Sequence, residues 1–169
     1  EVKYKKIVDM MVDRNMLIKE SAKIIVNIQG DEPLIHPEVI DSLAQSLSDD
    51  DTCSMATVIK KITDENDLNN SNVVKVVIDQ SKKALYFSRA AIPFHREKKN
   101  FEDTCYYKHL GLYAYRKDFL LAFKDLSSSH LEQIEKLEQL RVLEAGYKIK
   151  TVEDIDAYIF NDILVKYNL

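Results

Sequence analysis

Apolar positions along the chain switch between a period of two and a period near 3.6. The segment "YKKIVDMMVDRN" brings Ile7, Met10, Met11 and their aliphatic neighbours to one side, which predicts a helix. "KIIVNI" is apolar on both faces, as in a covered parallel strand. Pro37 suits the first turn of a helix through "PEVIDSLAQSL", with Val39, Ile40, Leu43 and Leu47 inward. "CSMATVIKKI" predicts a second strand and "DENDLNNSN" a polar, turn-rich loop. "NVVKVVID" and "KALYFSR", joined by "QSKK", predict a hairpin.

"AAIPFHREKKNFEDTC" has no periodicity and the mixed aromatic and charged composition of a functional loop or lid. "YYKHLGLYAYR" alternates, with His109, Gly111, Tyr113 and Tyr115 on one face and Leu110, Leu112 and Ala114 on the other. A short helix through "KDFLLAFKDL" follows. "SHLEQIEKLEQLRVLEAG" predicts one strong helix with Leu131, Ile134, Leu137, Leu140 and Leu143 in a stripe, a cap at Ser129 paired with Glu132, and a stop at Gly146. "YKIKTV" is a last strand and the tail reads as helical. With no repeat, linker or low-complexity segment, the pattern implies a single α/β domain over 1–169 with a mostly parallel sheet and a small antiparallel part at the hairpin.

Composition narrows the function classes. The chain is 46% hydrophobic and 31% charged, ordinary for a globular domain. A net charge of −4 without a basic stripe argues against nucleic acid as the main partner, and no apolar run approaches membrane-spanning length. Cys53 and Cys105 are far apart and form no CxxC, so reduced thiols are expected. Only three glycines occur, at 30, 111 and 146, where ordinary usage gives about twelve. The sequence therefore has no Gly-rich phosphate loop.

Candidate chemistry collects in four places. Asp31 and Glu32 end a strand and precede a helix. They read either as a strand-to-helix turn or as hard oxygen ligands for Mg²⁺ shared with substrate phosphates at the carboxyl edge of a sheet. His109, Tyr113 and Tyr115 read either as a half-exposed strand face with aromatic pairs or as a polar wall against a sugar. Glu138 and Arg141 have the spacing of an i,i+3 ion pair, while Glu138 and Gln139 could also face a pocket. Arg89 and Arg96 flank "AAIPFH"; each alone reads as a surface charge, and together they suit bidentate binding of a carboxylate.

Four segments in order, "VNIQGDEPLIHPEVID", "NVVKVVIDQSKKALYFSRAAIPF", "HLGLYAYRKDFL" and "IEKLEQLRVLEAGYKI", make the chain resemble the 3-deoxy-manno-octulosonate (Kdo) cytidylyltransferases, or CMP-Kdo synthetases, from about Ile24 to Lys150. The resemblance implies a Rossmann-like nucleotide-sugar transferase sheet in a three-layer αβα arrangement, with a small antiparallel dimerisation or lid region. It implies reaction of CTP with Kdo to give CMP-Kdo and pyrophosphate, dependent on Mg²⁺, in the cytoplasm of a Gram-negative-type cell and in service of lipopolysaccharide synthesis. A homodimer is implied, with the long loop and hairpin region contributing to its interface. Residue by residue, the resemblance assigns Asp31 to the metal and Gln29 and Gly30 to the substrate side of the same turn. It assigns Arg89 and Arg96 to the sugar's carboxylate and hydroxyls, His109 and Tyr113 to the sugar wall, and Glu138 and Gln139 to further sugar contacts.

The sequence departs from that family in two places. Members begin with a strand and an Arg-, Ser-, Gly- and Lys-rich loop that holds the CTP triphosphate; no counterpart precedes "YKKIVDMM", and residue one is Glu1. The expectation is a piece of a longer polypeptide, with a non-catalytic remnant that binds the sugar or a partner, but not CTP, as the alternative. A cytidylyltransferase for a related 2-keto sugar acid is a third reading. The family's second metal-binding aspartate has its nearest counterpart in Asp162, with Asn161, Asp154 and Asp156 in neighbouring registers and a plain helix N-terminal acid as the other reading of Asp162.

Overall fold

The computed structural model describes residues 22–27, 37–97, 101 and 104–154 of the chain. The helix expected over 4–15, the helical tail, and the candidate residues Gln29, Gly30, Asp31 and Asp162 lie outside the described residues.

Eleven described elements follow one another: β1 (Ile24–Asn27), α1 (Pro37–Asp49), β2 (Met55–Lys61), α2 (Glu65–Asn69), β3 (Lys75–Ile78), β4 (Ala84–Ser88), β5 (Tyr107–Arg116), α3 (Lys117–Phe123), α4 (His130–Glu135), α5 (Gln139–Glu144) and β6 (Ile149–Glu153). The strands make one sheet in the order β4-β3-β5-β2-β6, with β1 also paired to β5. β5 is its axis. Along one side it pairs with the whole of β2; along the other it pairs first with β3 at Tyr107 and Lys108, then with β1 from Tyr113 to Arg116.

Strand direction is where the pattern misleads. Among the described pairings only β2–β6 is parallel, and the other four are antiparallel. The expected mostly parallel sheet is thus corrected to a mixed one. An apolar run reports that both faces are covered, as β2 is, but carries no sign of which way its neighbour runs.

The two faces carry separate cores. Leu43 and Leu47 of α1 pack on Ala56, Val58, Leu112 and Ala114 on one side. Met55, Ile59, Tyr115 and Ile149 meet Phe119, Phe123, Leu140 and Val142 of α3 and α5 on the other. Helix, sheet and helix therefore form the three layers expected of the fold. The turn after α1 is tied to the end of β5 by Arg116, whose Nε donates to Cys53 O (2.9 Å) and whose Nη2 donates to Leu47 O and Asp50 O. Asp50 in turn meets Lys83 of the β3–β4 turn (3.3 Å) and Lys150 of β6 (3.5 Å).

Two local expectations are revised. The "DENDLNNSN" loop contains the single turn α2, because Asp64 accepts from Asn66 N–H (2.9 Å) and Leu68 is buried beside Ile62 and Tyr106. The single long helix after Ser129 is two short ones. The capping box of Ser129 and Glu132 is present, but Lys136 stands at φ 56° and breaks the run. Ile134, expected in the stripe, is 64% exposed, while Leu137 and Leu140 are buried.

Candidate functional site

The break at Lys136 has a tertiary cause. Glu135, the last residue of α4, is held by the end of β4: Ser88 Oγ donates to its Oε1 (2.6 Å), the Arg89 backbone N–H to its Oε2 (2.9 Å), and Arg89 Nε to its carbonyl (2.8 Å). Arg89 Nη1 donates to Ser71 O (2.9 Å). Three bonds to Glu135 outweigh the roughly 1–2 kcal/mol that a left-handed residue costs. The chain restarts as α5 with Gln139 at its first position and Glu138 just before it.

α5 packs over the face of β5 that carries His109 and Tyr113. In an unbroken strand, residues four apart lie about 13 Å apart. Here their ring centroids are 5.3 Å apart. The cause is a register shift: Thr57 of β2 sits opposite Tyr113, but the next residue, Val58, sits opposite Leu110. Gly111 and Leu112 are therefore two extra residues on β5, a bulge that folds the strand and draws the rings together. Since two residues are inserted, the inward and outward alternation survives.

Thr57, fully buried, spans the bulge. Its Oγ1 lies 2.7 Å from Leu112 O, 3.3 Å from Leu110 O and 2.9 Å from His109 Nε2. The His109 ring is also met edge-on by Phe87 (5.2 Å). Loss of hydration among these groups lowers the His109 pKa to about 4, so the ring is neutral at pH 7.

The hydroxyl of Tyr113 donates over 3.5 Å to Gln139 Oε1. Gln139 is only 5% exposed, and its amide Nε2 has no hydrogen-bond partner among the described residues. A buried donor left unpaired costs about 1–3 kcal/mol, and such groups are rare in structures unless something else satisfies them. Beside it, burial pushes the Glu138 carboxyl up, opposed by Arg141 and reinforced by Glu132. The expected Glu138–Arg141 ion pair is only a loose contact at 4.0 Å. The main partner of Arg141 is Glu132, with a further bond to Leu126 O and a cation–π contact to Phe123 (5.4 Å).

The structure thus brings together His109, Tyr113 and Gln139, with Glu138 adjoining. Arg89 is engaged by the backbone of Glu135 and Ser71, so it braces the segment leading into Glu138 and Gln139. Arg96 is exposed and pairs with no described residue. Thr57, Phe87 and Glu135 were not singled out by sequence reasoning. A buried threonine in a strand and a glutamate in a helix leave no signal until the register is known. Among the described residues no group of three His, Cys, Asp or Glu side chains is placed to hold a metal.

A half-buried aromatic and amide wall with one unpaired donor can bind a polar, hydroxyl-bearing ligand, and the comparisons agree in kind. The cytidylyltransferase family model matches residues 7–153. A 3-deoxy-manno-octulosonate cytidylyltransferase of Polynucleobacter necessarius is 48% identical over 142 residues, covering 83% of this chain and 56% of that protein. One of Solibacter usitatus is 51% identical over 134 residues, covering 79% and 52%. A solved structure of CMP:2-keto-3-deoxy-manno-octonic acid synthetase complexed with CTP superposes with a TM-score of 0.77 at 35% identity, covering 97% of this chain and 68% of that one. The chain spans a little over half the length of the two relatives. With its mixed sheet, its three layers and a match running through nearly every described element, the chain belongs to the cytidylyltransferase family.

Proposed function

We propose that this chain carries the sugar-acid site of an enzyme that activates Kdo with CTP, forming CMP-Kdo and releasing pyrophosphate. One observation carries the reading: the unpaired amide of Gln139 beside Tyr113 and His109, in a chain about half identical to proteins of that activity. In this reading the wall binds sugar hydroxyls, and Glu138 and Gln139 complete it. Arg89 braces the Glu135–Gln139 segment, and its remaining guanidinium face, with exposed Arg96, meets the substrate carboxylate.

The reaction joins the anomeric oxygen of the sugar to the α-phosphorus of CTP. The bond from that phosphorus to the bridging oxygen breaks, pyrophosphate leaves, and the proton of the sugar hydroxyl is released to solvent. The protein's part is to hold the sugar hydroxyl in line. Asp31 and Asp162 are the proposed magnesium ligands; two carboxylates suit a hard cation, which supplies charge neutralisation on the triphosphate when bound. Gln29 and Gly30 are assigned to the sugar side of the Asp31 turn.

A homodimer belongs to the same proposal. Leu85 on β4 (60% exposed) and Phe94 in the following loop (84% exposed) supply apolar surface in the hairpin and loop region expected at the interface. A cytoplasmic setting and a role in lipopolysaccharide synthesis complete it; among the described residues no helix is long and apolar enough to cross a membrane.

The test is calorimetry with Kdo and with CTP, together with Kdo-dependent pyrophosphate release in the presence of Mg²⁺. Kdo binding that is abolished in Gln139→Leu supports the site. Kdo binding without CTP binding or turnover selects the sugar-binding remnant. Preference for another 2-keto sugar acid moves the assignment to that substrate, and absence of sugar-acid binding refutes the reading.

A further inference from the structure

The hydroxyl of Thr57 is placed to decide which nitrogen of His109 carries the proton. A hydroxyl has one proton to give and lone pairs with which to accept. The best acceptor within reach is Leu112 O at 2.7 Å; Leu110 O, at 3.3 Å, is the weaker alternative on the same side of the bulge. Either way the proton is committed to a bulge carbonyl. Leu112 is one of the two extra residues and has no register partner on β2, so the hydroxyl supplies its carbonyl with a donor. With its proton spent there, the Thr57 oxygen meets His109 Nε2 at 2.9 Å only as an acceptor. The ring must then be protonated at Nε2, leaving a lone pair at Nδ1, which no described residue engages.

Among the described residues the ring has two further aromatic contacts. Phe87 and Tyr113 touch it through their ring systems, at 5.2 Å and 5.3 Å between centroids, and neither contact dictates a tautomer. The neutrality of the ring, which follows from its burial, is the condition under which a tautomer exists at all.

We propose that Thr57 is a positioning residue that fixes His109 as the Nε2–H tautomer, so that the sugar wall offers a hydrogen-bond acceptor at Nδ1 and selects a substrate group that donates, a hydroxyl rather than a carboxylate oxygen. The selectivity part rests on His109 belonging to the sugar site; the tautomer part does not. Thr57 touches no substrate in this scheme and acts through His109 and through the shape of the bulge.

The experiment is nitrogen-15 NMR of the four histidines in the 169-residue chain at pH 7, with His109 assigned by its loss in His109→Gln. Wild type is expected to show a protonated Nε2 and a pyridine-type Nδ1. Thr57→Val, which keeps the shape and removes the hydroxyl, is expected to move His109 toward a mixture of tautomers. Thr57→Ser is expected to restore the wild-type pattern. A purely structural threonine would leave the tautomer unmoved in a folded Thr57→Val protein, and that result overturns the proposal. So does a wild-type ring protonated at Nδ1, which keeps the test decisive if Thr57→Val does not fold. In parallel, Kdo affinity should fall about tenfold in Thr57→Val and recover in Thr57→Ser, the scale of one lost neutral hydrogen bond. A shifted tautomer with unchanged Kdo affinity overturns the selectivity part, whereas absence of Kdo binding by the wild type refutes the sugar site and leaves the tautomer result standing.

Discussion

Acidification should destabilise this fold through His109 over a window set by its burial. The ring titrates at about 4 in the folded chain against an ordinary value of 6.5. The unfolded chain therefore binds more protons throughout that interval, and stability rises with pH across it. The contribution is fully present above pH 6.5 and is lost as pH falls toward 4. At 1.36 kcal/mol per unit the gap is worth about 3 kcal/mol, most of which has gone by pH 4. Carboxylates such as Glu132, held below its usual value by its bonds to Arg141 and Ser129 against the opposing effect of burial, also lose stability in acid. Wild type must therefore be compared with His109→Gln, which keeps an N–H for Thr57 but cannot titrate. Urea unfolding at half-unit steps from pH 7 to pH 4 should show the stability difference between the two proteins change by about 3 kcal/mol, with most of the change below pH 6. Curves that stay parallel within about 0.5 kcal/mol would show that His109 is hydrated in solution and that the wall is more open than the structure has it.

Three further outcomes follow from named contacts. Gln139→Leu removes a buried amide whose nitrogen is unpaired, so thermal unfolding should show it neutral or up to about 1 kcal/mol more stable while Kdo binding is lost, a trade of stability against function. Arg141→Met strips Glu132 of its main partner and removes the Phe123 contact and the bond to Leu126 O; denaturant unfolding should show a loss of about 2–3 kcal/mol. Lys136→Gly relieves a left-handed backbone at no cost in contacts and should stabilise by about 0.5–1 kcal/mol in the same measurement.

What the sequence made legible, and what it hid, divides along one physical line. Local chemistry was readable: the alternation of β5, the Ser129 cap, the hairpin around Lys82 and the stop at Gly146 all depend on residues within a few positions of one another. Features set by a distant partner were not. Nothing between Ser129 and Gly146 signals a break at Lys136, because the cause is Ser88 and Arg89 holding Glu135 from more than forty residues away. Arg89 looked like a free guanidinium for the same reason. The direction of β5 relative to β1 and β2 was hidden because an apolar strand has the same pattern read either way. The bulge was hidden most completely: two inserted residues leave a period of two intact, so "YYKHLGLYAYR" looks like an unbroken strand although its aromatic side has been folded on itself.

That parity has a consequence for how such a chain can change over generations. Inserting or deleting one residue within β5 would turn every later side chain to the opposite face, driving Tyr113 and Tyr115 under α1 and Ala114 toward α5. A change of two keeps each residue with its own neighbours and alters only the spacing of the rings. Length variation in this strand should therefore occur in pairs, and the width of the aromatic wall can be retuned in such steps without rebuilding either core.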